Sequence, residues 1–246
     1  MRVSLIDYTG AGYSNPDRHA ANVLIFTKNT RLEMNPYQWN KVSKMDQLQV
    51  EEELAYMART LPSSWEFVHY TFLIQGVTRA FTHQLVRTRT GSYAQQAMRI
   101  AKMDQFEYEA GPTIKSDPGR EEIYDLAMKK IQVGYDALLE SGTAIEDARG
   151  VLPTNILTNI VASFNMRTLA DLFRKRASTR VQDEYRHVIA QMRIAVERVH
   201  PFTKLFFERN LDVAAKELEE EIGKLGLDEH RRLQLVKLID QIRTLD

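Results

Sequence analysis

The sequence predicts a mixed α/β fold that continues into a helical extension, and three observations predict it. Residues 65–75 carry β-branched or aromatic side chains at every second position, the period of a half-buried strand: Val68, Tyr70, Phe72 and Ile74. Several other segments show helical spacing behind residues that favour helix caps. From residue 212 onward, the composition shifts to leucine, glutamate and lysine.

The remaining elements follow from shorter signals. Further strands are predicted at residues 3–8, 106–108 and 156–163. Three residues stand where helix N-caps are expected: Asp46, Asp117 and Asn165. A capping box is also predicted at residues 143–146. The predicted helices are 17–28, 46–58, 77–86, 117–142, 166–176 and 181–199. Residues 29–44 are predicted to form a loop.

Residues 212–246 have the spacing of two amphipathic helices, which Gly226 and Asp228 separate. Asp228 is suited to cap the second helix. We expect a helical hairpin that packs on the body of the protein or on a neighbouring chain, without chemistry of its own. The predicted division is therefore a main domain over 1–210 and a helical extension over 211–246.

Charge and composition exclude several classes. Lysine plus arginine equals aspartate plus glutamate at 33 each, so no global field favours nucleic acid or an anionic membrane. The chain has no cysteine, which excludes disulfides, a thiolate nucleophile and cysteine-ligated metal, and no metal site is predicted. The N-terminal residues lack an apolar signal segment, and no uninterrupted apolar run approaches the ~18 residues of a membrane span. A cytoplasmic protein is expected.

One stretch, residues 79–99, concentrates cations without any acid. Its arginines are Arg79, Arg87, Arg89 and Arg99. Arg87 and Arg89 would point roughly 200° apart on a helix, so they converge on one ligand only if the helix ends beside them. We predict a helix over 77–86 followed by an irregular loop that holds an anionic nucleotide or dinucleotide cofactor. A solvated basic loop is the alternative.

This stretch resembles the signature of the flavin-dependent thymidylate synthases, R-H-R-x-x-S-x-N-x-x-S-x-R. The corresponding run begins at Arg87 and ends at Arg99. Its three arginines and first serine match the signature. Four positions depart from the family pattern: Thr88 replaces a histidine, Ala94 an asparagine, Gln95 a glutamate and Ala97 a serine.

Three further blocks resemble the same family in the same order. Residues 148–153 are similar to its A-R-x-V-L-P segment, and residues 165–169 to its N-x-R-x-L segment. Residues 176–184 are similar to R-x-x-x-x-A-Q-x-E-I, without the alanine before the glutamine. The resemblance covers roughly residues 1–210 and leaves the hairpin outside.

The resemblance implies a central, mostly antiparallel sheet flanked by helices, and a homotetramer whose subunits share active sites. It implies FAD as cofactor, NADPH as the reductant of the flavin, and methylenetetrahydrofolate as the one-carbon donor for C5 of dUMP. The absence of cysteine suits this chemistry, because the other type of thymidylate synthase needs a thiolate. Arginines must then stabilise the charge that develops on the pyrimidine.

The same resemblance assigns residues. Arg176 matches the catalytic arginine that faces the pyrimidine. The implied nucleotide-binding residues are Gln84, Gln95, Arg99, Arg149 and Arg176. The implied flavin-binding residues are Ser63, Arg87, Thr88, Arg89, Asn165, Arg167, Asp171 and Arg180. Two plainer interpretations stay open: Arg149 as a cation at a helix C-terminus, and Asp171 as a surface carboxylate.

The departures from the signature cluster in the implied site, so a changed activity is a second hypothesis. Such an enzyme would methylate dCMP, or hydroxymethylate dUMP or dCMP. A third hypothesis from another class is a non-catalytic nucleotide-binding protein that kept the scaffold. The balanced charge argues against nucleic acid as its ligand.

Overall fold

The centre of the protein is an antiparallel β-sheet with strand order β1-β2-β4-β3. Its strands are β1 (Arg2–Tyr8), β2 (His69–Thr78), β3 (Ser92–Gln95) and β4 (Leu157–Asn165). The computed structural model describes residues 1–31, 37–60, 62–176, 182–208, 210–226 and 228–243. Every pairing in this sheet is antiparallel, which confirms the sheet that the resemblance implied.

Helices surround the sheet on the described part of the chain. They are α1 (Pro16–Asn29), α2 (Gln38–Ser43), α3 (Gln47–Ala58), α4 (Arg79–Leu85), α5 (Pro112–Lys115), α6 (Pro118–Glu140), α7 (Ile145–Ala148), α8 (Met166–Arg176), α9 (Asp183–Val199), α10 (Lys204–Phe207), α11 (Asn210–Lys224) and α12 (Glu229–Arg243). Short 3₁₀ turns lie at Pro62–Phe67, Arg149–Val151 and Pro201–Thr203.

Strand β2 lies between β1 and β4, and its alternating pattern explains the core. Tyr70, Phe72 and Ile74 are fully buried, as the period of two predicted. The strand begins later than predicted, because residues 65–67 belong to a 3₁₀ turn. It also ends later than predicted, at Thr78. The pairing register shifts between Ile74 and Val77. Gly76 occupies this irregularity with φ +63°, a backbone conformation that a residue with a Cβ rarely adopts.

The predicted caps are confirmed by hydrogen bonds to backbone N–H groups. Four side chains accept these bonds: Asp46 at 2.9 Å, Asp117 at 3.0 Å, Asn165 at 2.8 Å and Asp228 at 3.0 Å. The capping box at 143–146 is wrong, because α7 begins after Ala144 without a side-chain cap. The loop predicted for 29–44 is also partly wrong, since residues 38–43 form α2.

The main core lies between the sheet and helices α1, α8 and α9. Fully buried residues on those helices include Leu24, Ile25, Leu169, Val188 and Met192. Helices α11 and α12 pack on each other through a separate small cluster around Ala215, Ile222 and Ile239. Among the described residues, no helix is long and apolar enough to cross a membrane.

A buried histidine joins the sheet to the end of α9. The phenol oxygen of Tyr70 lies 2.8 Å from Nδ1 of His200, and the ring of Tyr8 meets the same imidazole edge-on. Burial lowers the pKa of His200 from its ordinary value of 6.5 to about 4. The imidazole is therefore neutral in the folded protein at neutral pH.

This histidine makes stability depend on pH in a defined direction. Between pH 6.5 and 4, the unfolded chain binds a proton at His200 that the folded protein excludes, so the free energy of unfolding falls as pH decreases. We expect this residue to contribute a loss of about 3 kcal/mol across that window. His200→Gln should flatten the pH dependence of the free energy of unfolding between pH 6.5 and 4, measured by urea denaturation. The same slope in His200→Gln and in the wild-type protein would contradict the assignment.

Candidate active site

The arginine stretch folds into a short helix, a tight turn and an edge strand. Helix α4 ends at Leu85, before the pair Arg87 and Arg89, as predicted. The following residues are less irregular than predicted, because residues 92–95 form β3 and pair with β4. We call residues 87–91 the arginine loop.

Tyr93 holds the arginine loop against the helix that precedes it. Its phenol oxygen lies 3.0 Å from the carbonyl oxygen of Leu85 and 2.7 Å from that of Thr88. Burial raises the pKa of Tyr93 to about 12, so the phenol keeps its proton and can donate it. Gly91 closes the loop at a point with no room for a side chain. A Cβ there would lie 2.5 Å from Cε1 of Phe164 and 2.7 Å from the Tyr93 hydroxyl.

The arginine loop also contacts the start of α8. The hydroxyl of Thr168 donates to that of Thr90 at 3.0 Å, one turn into the helix that Asn165 caps. Arg167 in the same turn donates to Glu66 of the 3₁₀ turn at 2.5 Å. Ser63 of that 3₁₀ turn accepts a hydrogen bond from Arg31. The loop, the α8 N-terminus and the 3₁₀ turn thus meet at one end of the sheet.

Several residues that the resemblance assigned to flavin are therefore brought together. Ser63, Asn165 and Arg167 lie on elements joined by the contacts above, and Thr88 lies in the loop itself. Arg87 and Arg89 are exposed, and neither guanidinium has a hydrogen bond or ion pair to another described residue. Uncompensated guanidinium groups are suited to bind an anion.

The remaining flavin assignments are less connected. Asp171 is exposed on α8, and its carboxylate opposes the fall in the pKa of Arg174 that burial causes. Arg180 lies outside the described residues. Arg176, the assigned catalytic residue, is the last residue of α8.

A second group of arginines lies toward the other end of α4. Arg79 at the start of α4 donates to the carbonyl oxygen of Gln96 at 2.6 Å. Arg149 donates through Nε to the carbonyl oxygen of Glu146 at 3.1 Å, and Nε of Arg99 lies 3.7 Å from the Glu146 carboxylate. Burial and the charge of Arg149 both lower the pKa of Arg79, so these two cations repel each other.

This second group, Arg79, Arg99 and Arg149, is the cationic cluster. Glu146 pairs with Arg99 only loosely, with both side chains more than half exposed. The Nε atom of Arg79 is buried without a hydrogen-bond partner among the described residues. Glu146 is the acid paired with this cluster among the described residues, so part of the positive charge of the three arginines is uncompensated. A dianionic phosphate would relieve their repulsion.

The two assigned glutamines make contacts within the protein. Gln95 donates through Nε2 to the hydroxyl of Thr82 at 2.9 Å, and that hydroxyl donates to the carbonyl oxygen of Arg79 at 3.1 Å. Gln84 donates to the side chain of Gln182, just before α9, at 2.8 Å. These contacts link β3 and the residue before α9 to α4.

Comparison with known proteins decides the family. A family model described as thymidylate synthase complementing protein matches residues 4–202. A flavin-dependent thymidylate synthase of Clostridium tetani is 33% identical over 219 residues, which is 82% of this chain and 84% of the relative. The chain belongs to the flavin-dependent thymidylate synthase family. The resemblance found in the sequence is confirmed.

Other members of the family match over a shorter range. The flavin-dependent thymidylate synthase of Sulfolobus acidocaldarius is 41% identical over 133 residues, and this alignment spans about half of each protein, 54% of this chain and 51% of the relative. The family match ends before α11 and α12 begin.

A solved structure supports the fold. The crystal structure of a UMP/dUMP methylase, PolB from Streptomyces cacaoi, aligns with a TM-score of 0.67 and 20% identity. The alignment covers 83% of this chain and 94% of that chain. The mixed α/β class predicted from the sequence is confirmed.

Sequence reasoning missed the residues that hold the family positions in place. Tyr93 fixes the arginine loop, and Glu184 binds the start of α4. Tyr93 lies two residues after Gly91, and an aromatic residue shortly after a glycine is a signal that favours a short strand. Glu184 stands in the Q-x-E part of a family block, but no sequence pattern indicates which group it contacts.

Replacing Gly91 tests whether the tight loop is needed for the site. Gly91→Ala should push the arginine loop away from Phe164 and Tyr93, at a cost of about 1–3 kcal/mol from overpacking. We expect a lower melting temperature and weaker flavin binding, measured by thermal unfolding and flavin titration. Gly134→Ala is the control, because a Cβ there meets nothing within 4 Å. Unchanged flavin affinity in Gly91→Ala would contradict this role.

Proposed function

We propose that this protein catalyses the reductive methylation of dUMP at C5, with methylenetetrahydrofolate as carbon donor, FAD as cofactor and NADPH as reductant. Membership of the family supports the proposal. The observation that carries it in this chain is the cationic cluster beside α4, where Arg79 and Arg149 repel each other and Arg99 is only loosely paired with the Glu146 carboxylate. A nucleotide monophosphate supplies the missing negative charge.

The residues near the arginine loop fit FAD. Arg87 and Arg89 offer guanidinium donors that no described residue engages, which suits a pyrophosphate. Asn165 and Ser63 place polar side chains on the adjoining elements. Glu66 would oppose an anion nearby, but its charge is paired with Arg167. When bound, the reduced flavin supplies the hydride that completes the methyl group.

The chain's own residues then have separable tasks. The cationic cluster holds the phosphate and so fixes the pyrimidine relative to α4. Arg176, as the residue proposed to face the ring, stabilises negative charge that develops when C5 acts as the nucleophile. The chain contains no cysteine, so electrostatic stabilisation takes the place of a covalent thiolate adduct.

The assembly that we propose is a homotetramer in the cytoplasm, with sites shared between subunits. The exposure of Arg87, Arg89 and Arg99 in the single chain supports it, because a neighbouring subunit can cover ligands held by exposed donors. The hairpin α11–α12 offers a further surface for such contacts, although its own cluster is already internally packed. The division at residue 210 stays a prediction.

A second candidate function is modification of a different pyrimidine. Gln95, which stands where the family has a glutamate, is held in a neutral chain of hydrogen bonds to Thr82 and onward to Arg79. A carboxylate at this position would have to accept from the Thr82 hydroxyl, which would end the bond from that hydroxyl to the carbonyl oxygen of Arg79. The replacement of a charged side chain by Gln95 favours altered pyrimidine selectivity, with dCMP methylation or a hydroxymethyl product as the outcomes to test.

The proposed function is tested by the flavin absorbance of the purified protein and by the nucleotide that it forms. We expect the purified protein to bind FAD, to lose its flavin absorbance on anaerobic addition of NADPH, and to convert dUMP to dTMP when methylenetetrahydrofolate is present. Parallel reactions with dCMP, analysed by mass spectrometry, distinguish the second candidate. A protein that binds dUMP but takes up no FAD would overturn the enzymatic proposal and favour a nucleotide-binding protein.

The role of Arg79 in the cationic cluster is tested separately. Arg79→Gln should raise the KM for dUMP about tenfold, because one charge-assisted contact to the phosphate is lost. The effect should shrink as ionic strength rises, since salt screens the remaining charges. Arg120→Gln on the surface of α6 is the control, as it also removes one guanidinium. Equal KM values for the two variants would show that Arg79 does not bind the nucleotide.

A further inference from the structure

Residues 182–185, at the start of α9, contact α4 and its N-cap through three side chains. Glu184 contacts Thr78, the N-cap of α4, and Gln182 accepts a hydrogen bond from Gln84 near the other end of the helix. Between them, the buried ring of Tyr185 packs on Phe81 with ring centroids 5.2 Å apart. Contacts at the start, middle and end of α4 therefore fix its position against α9.

The contact at Glu184 is the most polar of the three. One carboxylate oxygen accepts from the backbone N–H of Thr78 at 2.7 Å, and the other accepts from its hydroxyl at 2.5 Å. The Thr78 hydroxyl accepts in turn from the backbone N–H of Phe81 at 3.1 Å. Thr78 is only 3% exposed, so loss of the carboxylate takes the acceptor away from a largely buried N–H.

Helix α4 carries parts of both candidate sites. Arg79 of the cationic cluster immediately follows Thr78, and Gln84 lies one residue before the helix ends. The arginine loop begins just beyond it and reaches the α8 N-terminus through Thr90. A shift of α4 would therefore move the nucleotide residues and the flavin residues relative to each other.

We infer that Glu184 is a positioning residue for pyrimidine nucleotide binding: its carboxylate sets the register between α9 and α4 and thereby places Arg79 and Gln84 for the substrate. This inference rests on the proposed function for the identity of the nucleotide. Gln presents one acceptor oxygen and one NH₂ group to the two donors of Thr78, so an uncharged amide keeps both contacts only if the Thr78 hydroxyl turns from donor to acceptor.

The test compares variants whose side chains have nearly the same shape as the originals. Glu184→Gln should weaken dUMP binding about tenfold in isothermal titration of the FAD-loaded protein, with a corresponding rise in KM. Asp183→Asn is the matched control, since it removes a carboxylate from the same turn that pairs only with Arg186 among the described residues. Thr78→Val removes the hydroxyl donor and should act in the same direction, whereas Thr78→Ser keeps it and should bind dUMP normally.

Coupling between the two residues separates positioning from general destabilisation. In a double-mutant cycle, the effects of Glu184→Gln and Thr78→Val on dUMP affinity should be far less than additive, because both break one contact. Additive effects, or equal affinity in Glu184→Gln and Asp183→Asn, would overturn the inference. If Glu184→Gln fails to fold, a wild-type affinity in Thr78→Val overturns it equally.

The outcome for the wild-type protein keeps the two proposals distinct. A wild-type chain that binds dUMP but forms no dTMP would overturn the proposed reaction, while the role of Glu184 would still be decided by the dissociation constants. A wild-type chain that binds no pyrimidine nucleotide would overturn both.

Discussion

The antiparallel pairing of β3 and β4, with α4 lying alongside, is the constraint on which the candidate site depends. Ser92 pairs with Ser163 near the end of β4, and Gln95 pairs with Ile160 farther back. The arginine loop before β3 is therefore placed beside the α8 N-terminus, and the residues after β3 are placed beside the start of α4. One register thus separates the residues proposed to bind flavin from those proposed to bind the nucleotide, while keeping both on a rigid frame. A slip by one residue would turn every β3 side chain to the opposite face.

Both ends of this frame carry a local excess of positive charge. The chain as a whole is neutral, yet Arg87, Arg89 and the cationic cluster concentrate guanidinium groups where carboxylates are scarce or loosely paired. Repulsion within the cluster costs stability in the absence of ligand, and burial of part of Arg79 adds to that cost. Such local imbalance is typical of sites that bind anions, because the ligand completes the electrostatics.

The buried core supplies the rigidity that this arrangement needs. Aromatic and aliphatic residues from β2, β4, α1, α8 and α9 form one continuous cluster beneath the sheet. Since Tyr185 belongs to this cluster and also packs on Phe81 of α4, displacement of α4 would disturb core packing. The site therefore rests on packed elements, and the polar contacts of Glu184 and Tyr93 fix the finer positions.

The sequence by itself determined strands β1, β2 and β4, the longer helices, four of the helix caps and the family. The signals that decided these features are local, because each depends on residues near one another in the sequence. They are the period-two pattern of β2, the spacing of the arginine motif, and the caps at Asp46, Asp117, Asn165 and Asp228. Only the tertiary structure decided that β3 is a strand, that Arg79 joins Arg99 and Arg149, and that Glu184 binds Thr78. These contacts join residues far apart in sequence, and their partners are chosen by how the sheet and helices pack, which no local pattern encodes.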